Sequence, residues 1–434
     1  MPSAILALML ILQGCVSLGT QEETLTEEAR AKNLESFDLL WTTVHEKVWD
    51  TTFNDLDWEA RGTYYRPLVA QAKTVNESRA QMQTMLNELE LSHLNLIPAE
   101  VYDDLDTKGN TENADIGTPG LTVRVHLGKV MITAVEPGSP AAKYQLQPGW
   151  TIEAIDGEAL TPMLERLKTA LPVDSLAGLY GNRAVEKRLD GPLDETVEIL
   201  FDTILYGVAV ADIPRQPLKG NLVTLGNMPP LRVWFEHKAL EDEIGYIAFN
   251  YFMDPMRIMP ALETAVTEFK DKKGIVIDLR GNGGGIAGVA MGMAGWFVPE
   301  DTGHLGTMIF RDTELKLQVN PRMGAYTGPV AILVDNCSAS CSEFFAGGLQ
   351  SMGYAKVFGT QTAGAVLPAS LEKLPNGDTL MFPIADYVSA NGDRIEGVGI
   401  RPDVYAPPGF FGEMENNDPA LAAATTWILK QPLK

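Results

Sequence analysis

Apolar residues recur at helical spacing early in the chain. Phe37, Leu40, Trp41, Val44 and Val48 form one stripe, Trp58 opens another segment, and Met82, Met85, Leu86 and Leu89 form a third. This predicts an N-terminal helical region ending at Leu91-Ser92-His93-Leu94. From Gly117 the period shortens: 121–127 alternates, 130–135 follows, and Pro137-Gly138, Pro148-Gly149 and Asp156-Gly157 punctuate the run. A strand over 196–201 closes this β module. From Ile244 the pattern is α/β. It predicts a strand over 244–249, a helix over 255–269, and a buried strand over 274–280 that enters the turn Gly281-Asn282-Gly283-Gly284-Gly285. A small-residue helix over 286–297, strands over 355–358 and 379–383, and a closing helix capped by Asp418 with Pro419 in its first position complete the reading. The expected fold class is multidomain, α+β and α/β. Its segments are 1–20 (export signal and anchor), 24–113 (helical region), 114–217 (β module) and 218–434 (α/β core).

The stretch 331–350 stands out within that core. Ile332, Leu333 and Val334 enter a polar corner holding Cys337, Ser338, Ser340, Cys341 and Ser342, and Glu343, Phe344, Phe345 and Ala346 resume with helical character. A serine on such a corner presents its oxygen at a helix N-terminus, where free N–H groups favour developing negative charge. The same residues would serve equally as helix caps. The glycine turn also offers backbone N–H groups, and if its strand lies beside that of the corner, the two turns share one sheet edge. Other motifs lead elsewhere. Gly283, Gly285 and Gly288 satisfy G-x-G-x-x-G, but no ribose-binding acid follows; Ser370-Leu371-Glu372-Lys373 matches S-x-x-K without a Lys-Thr-Gly partner; and no G-x-S-x-G surrounds Ser340. The 5 histidines lack metal-ligand spacing, so neither a metal nor a cofactor is expected.

Composition narrows the setting. The 434 residues carry 57 acidic and 34 basic side chains, a net charge of -23, which disfavours nucleic acid as a partner. An apolar run over 4–12 is too short to span a bilayer, and it precedes Leu12-Gln13-Gly14-Cys15, which resembles a bacterial lipobox. That resemblance implies lipidation at Cys15 and export to the periplasmic face. Val16, in place of an Asp-type retention signal, points to the outer membrane. A polar tether over 21–30 follows. Cys337 and Cys341 are too few for a disulfide framework and are expected as small buried thiols.

Two resemblances add to this. Gly120 to Val123, "EPGSPA", "PGW" and "IEAIDG" resemble a PDZ domain, in which a sheet edge and a loop of free N–H groups accept a peptide C-terminus. This implies substrate binding at Gly120, Leu121 and Thr122. It leaves open whether the module instead holds another part of its own chain. "GIVIDLRGNGGG", "ILVDNCSASCSEFFAGGLQ", "GTQTAGA" and "IEGVGIRPD", in that order behind the module, resemble the C-terminal processing (tail-specific) serine proteases, which include the tricorn core protease. The resemblance implies a ClpP/crotonase-like core, Ser340 as nucleophile, and an oxyanion hole from the N–H groups of Cys341 and Gly284. The processing branch activates its serine with a lysine, but Ala365 stands at that position. The tricorn-like branch is implied instead, with His93 as base and Ser92 and Glu396 orienting it. The expected activity is hydrolysis of peptide bonds in unfolded or tail-exposed polypeptides. The same scaffold without catalysis would be a binding module, and the glycine turn alone would suggest a dinucleotide enzyme.

Overall fold

Three capped helices open the chain. Thr26, Asp57 and Thr74 accept hydrogen bonds from Ala29, Ala60 and Glu77 N–H, starting α1 (Glu27–Lys47), α2 (Trp58–Gln71) and α3 (Val75–Asn87). Their apolar stripes meet in one core of Phe37, Leu40, Val44, Trp58, Val69, Met82 and Met85. A computed structural model describes residues 24–99, 116–170, 174–224, 231–240, 243–298, 303–409 and 418–432. Cys15 lies outside the described residues. The chain divides into two units, one of residues 1–107 with 369–385 and one of residues 108–368 with 386–434.

The first unit differs from expectation at one place. Strand β1 (Asn95–Ile97) pairs with Thr379–Pro383, which pairs in turn with Ala369–Lys373, so the 379–383 strand packs with the N-terminal helices and not with the α/β sheet. Leu374, Leu380 and Phe382 enter the helical core, where they bury apolar surface the helices alone would leave wet. The buried Asp378 carboxylate accepts both Arg79 Nε and Nη2, at 2.9 and 2.6 Å.

Two six-stranded sheets dominate the second unit. In the β module, β2 (Leu121–His126), β3 (Lys129–Val135), β4 (Thr151–Ile155), β5 (Thr196–Asp202) and β6 (Val208–Pro214) form an antiparallel path in chain order. Helix α4 (Asp174–Leu189), which the sequence reading did not predict, contributes Val185 and Leu189 to a core with Val123, Ile132, Ile155 and Val197.

The larger sheet runs β7 (Phe235–Leu240), β8 (Ile244–Phe249), β9 (Gly274–Asp278), β10 (Val330–Val334), β11 (Lys356–Gly359) and β12 (Val404–Tyr405). All neighbours except β7 and β8 are parallel. Every residue of β9 and β10 is buried, as continuous apolar runs require in a sheet covered on both faces. Around them come α5 (Pro255–Glu268), α6 (Ala287–Ala294), α7 (Cys341–Ser351) and α8 (Pro419–Leu429), the last capped by Asp418 as expected.

An ion-pair network ties α8 to the end of β9. Arg280 Nη2 lies 2.6 Å from both Asp278 Oδ2 and Asp418 Oδ2, and Tyr246 Oη donates to Asp278 at 2.8 Å. Burial pushes the Asp278 carboxyl up, but the adjoining Arg280 guanidinium outweighs it and holds the group below its ordinary range. Arg280→Met leaves that buried carboxylate without its cation, and should cost about 3–5 kcal/mol in a urea unfolding titration.

Candidate active site

Because β9 and β10 are parallel neighbours, Asp278 pairing with Leu333, their C-terminal turns open at one edge of the sheet. The turn after β10 is built from its own side chains. Asp335 Oδ1 accepts Cys337 N–H at 2.9 Å and Gly281 N–H at 3.0 Å, so one carboxylate joins both turns. Ser338 Oγ accepts Asp335 N–H and donates to Leu279 O at 2.8 Å, which makes Ser338 a structural residue. Ser340 then adopts φ 54° and ψ -117°, a conformation costly for any residue with a Cβ and maintained only when its surroundings impose it. Helix α7 begins at the next residue. The N–H of Cys341, in its first turn, has no acceptor within the helix.

The glycine turn lies directly against this corner. A Cβ at Gly284, where φ is 96°, would fall 2.7 Å from Ser340 Cβ, 2.8 Å from Ala339 O and 3.0 Å from Cys341 N. Only glycine permits that approach. Asn282 holds the turn in shape: its fully buried amide donates to Phe249 O at 2.8 Å and accepts Ser342 Oγ–H at 2.8 Å and Gly284 N–H at 3.0 Å. The Gly284 amide therefore serves an oxyanion only by exchanging Asn282 as its acceptor. Cys341 Sγ points at Gly285 O, 3.2 Å away. Cys337 and Cys341 are both free and buried, and burial pushes the Cys341 thiol up to about 12.

Ala365 stands beside the Ser340 corner, its carbonyl accepting Ser340 N–H at 2.8 Å. The next residue reaches Glu396, whose Oε2 accepts Val366 N–H at 3.1 Å. Ser340, Cys341, Gly284, Ala365 and Glu396 thus belong to one connected set in the second unit. Ser92 and His93 belong to the first unit, where they form a pair of their own: Ser92 Oγ is 2.8 Å from His93 Nδ1. Ser92 is buried, and His93 is half-buried with φ 57° on the turn between α3 and β1. Among the described residues there is no cluster of three His, Cys, Asp or Glu that would hold a metal.

In the β module, Gly120 (φ 84°) opens β2, and a Cβ there would fall 2.4 Å from Ser139 Cβ. Leu121 is half-buried and Thr122 exposed on this end strand of the sheet. Further along, the outer edge is already filled. Val125 N–H donates to Asn182 Oδ1 at 2.7 Å, and Val125 O accepts from Asn336 Nδ2 at 3.3 Å. Buried Arg124 pairs with Asp335. Sequence reasoning missed Arg124, Asn182, Asn336, Glu343 and Thr362. Of these only Glu343 carried a local signal, the S-x-x-E spacing from Ser340 that marks a helix start.

Comparison with known proteins agrees with this architecture. Residues 243–406 match the model of peptidase family S41, and residues 29–87 match the tricorn protease C1 domain. A carboxyl-terminal-processing protease of Synechocystis sp. is 27% identical over 420 residues, covering 96% of this chain and 90% of that protein. Among solved structures, the photosystem II D1 C-terminal processing protease superposes with a TM-score of 0.58 at 20% identity, covering 88% of this chain and 94% of that one. The tricorn protease superposes with a TM-score of 0.50 at 16% identity, covering 92% of this chain and 37% of that one. The fold is the multidomain one these structures share: N-terminal helices, then a β module, then an α/β core. With the buried Gly284 packed on a strained serine inside the matched region, residues 243–406 belong to peptidase family S41 and the chain is a serine-type peptidase.

Proposed function

We propose that the chain is an endopeptidase that cuts unfolded or tail-exposed polypeptides, with Ser340 as nucleophile and His93 as its base. The observation that carries this is the apposition of Gly284 and Ser340 at the N-terminus of α7, with Ala365 where a lysine base would otherwise stand. Serine attacks a carbonyl only when a base within reach takes its proton. His93 is assigned that role, its Nε2 receiving the Ser340 proton and returning it to the leaving amine. Ser92 Oγ, accepting from Nδ1–H, fixes the ring, and Glu396 supplies the negative charge that favours the imidazolium. The tetrahedral oxyanion is stabilised by Cys341 N–H and the glycine turn. The resulting acyl-enzyme is hydrolysed by water, which releases the new carboxylate and restores Ser340.

Tail recognition is assigned to Gly120, Leu121 and Thr122, where β2 presents the part of its edge before the segment filled by Asn182 and Asn336. Two peptides differing only in a free or amidated C-terminus test this. The free acid should have a KM lower by about tenfold, one lost charge-assisted hydrogen bond's worth. Equal KM values would assign the module a purely structural role.

A further inference from the structure

We infer that Glu343 is a positioning residue for the reaction: its carboxylate ties the backbone of the Ser340 elbow to the loop Thr362–Ala365 and so sets where the nucleophilic oxygen stands. The inference rests on Ser340 being the nucleophile. Glu343 is 0% exposed, at the third position of α7. Its Oε1 accepts Thr362 Oγ1–H at 2.5 Å and Gly364 N–H at 2.8 Å; its Oε2 accepts Ala365 N–H and Ser340 N–H, both at 3.1 Å. Four donors from two separate segments thus converge on one side chain. Ala365 closes the ring by accepting Ser340 N–H through its own carbonyl. Since φ 54° and ψ -117° at Ser340 persist only under outside constraint, this clamp is what the strain is held against. The same loop continues to Glu396 through Val366 N–H, so the clamp also spaces the nucleophile from the acid assigned to the base.

The clamp needs a carboxylate, because all four partners are donors and only an ionised carboxyl accepts at every site. Its charge is answered by hydrogen bonds and the helix N-terminus; Glu396 and Tyr387, the titratable groups that face it, bring no positive charge. Burial pushes the carboxyl up and the donors only partly offset this, leaving it at about 7. Above that pH the group is ionised and the clamp is whole. As pH falls through it, a proton replaces one acceptor with a donor and the clamp opens, so activity should fall on the acid side.

Steady-state hydrolysis of a fluorogenic peptide between pH 5 and 9 tests this on wild type, Glu343→Gln, Thr362→Val and Ser340→Ala. Glu343→Gln sets an NH2 against N–H donors, so kcat should fall by about 100-fold with KM nearly unchanged, the signature of a misplaced reacting group. Its acid limb should move to lower pH, because the group that titrated near 7 is gone. Thr362→Val keeps the carboxylate but removes one donor, which raises the carboxyl further, so its acid limb should move to higher pH. This second variant decides the matter if Glu343→Gln does not fold. Unmoved acid limbs with kcat within about threefold of wild type would overturn the inference while an inactive Ser340→Ala left the nucleophile standing. An active Ser340→Ala would instead remove the nucleophile on which the inference rests.

Discussion

Ser340→Ala is expected to lower kcat/KM for peptide hydrolysis by about 10⁴- to 10⁶-fold, the loss seen when a nucleophile is removed from a machine whose parts act together. The size follows from the geometry. The donors proposed for the oxyanion, the glycine turn and the surface proposed for the substrate remain in the variant, so the account loses only its acylation route and leaves residual hydrolysis to water. The fold should be unaffected. Ser340 is placed by its backbone, through Ala365 O and Glu343 Oε2, and alanine carries the same Cβ into the same space against Gly284. Circular dichroism and the thermal midpoint should match wild type, which separates a chemical loss from a structural one. By contrast, Gly284 cannot be exchanged so quietly, because its missing Cβ is what lets the turn meet the serine.

His93→Ala is the second large effect, a fall of about 10⁴-fold in kcat, with partial recovery when imidazole is added to the assay. The motive is that Ala365, whose carbonyl accepts Ser340 N–H, stands where the family resemblance expects a lysine, and that two carboxylates of the corner are committed: Asp335 to Gly281 and Cys337, Glu343 to four donors. Ser92 lies against His93 Nδ1, so Nε2 is the nitrogen that the proposal assigns to the Ser340 proton. If His93→Ala retained wild-type kcat and pH profile, the base would have to be sought elsewhere.

Much of the core was legible because its signals are local. Continuous apolar runs over β9 and β10, the Asp418-Pro419 helix start, and a serine-rich corner between strand and helix can each be read without knowing what lies across the sheet. The decoys were set aside for want of sequence partners, a ribose-binding acid for G-x-G-x-x-G and Lys-Thr-Gly for S-x-x-K; in the fold Asp278 is engaged by Arg280 and Tyr246, and the S-x-x-K match lies on the strand Ala369–Lys373. What stayed hidden was long-range. The pairing of Asn95 with Met381 leaves no trace in either segment, so the hairpin of 369–383 read as part of the α/β core. Helix α4 contains Gly178 and Gly181, which break its pattern where it packs closely on Asn336 and Leu164. Asn182 and Asn336 look like ordinary polar residues until β2 is found between them. Gly284 was legible as part of a glycine turn after a buried strand, but its engagement with Asn282 depends on a side-chain rotamer that sequence does not specify.

The central claim is that Ser340 is the nucleophile and His93 its base, and covalent labelling with a fluorophosphonate probe tests it most directly. Wild type should take up one equivalent, with the adduct located by peptide mass spectrometry on Ser340. Ser340→Ala should take up none, and His93→Ala should react more slowly by a factor of about 10³ or more, as loss of the base predicts. An adduct on any other serine, or undiminished labelling of Ser340→Ala, would contradict the account.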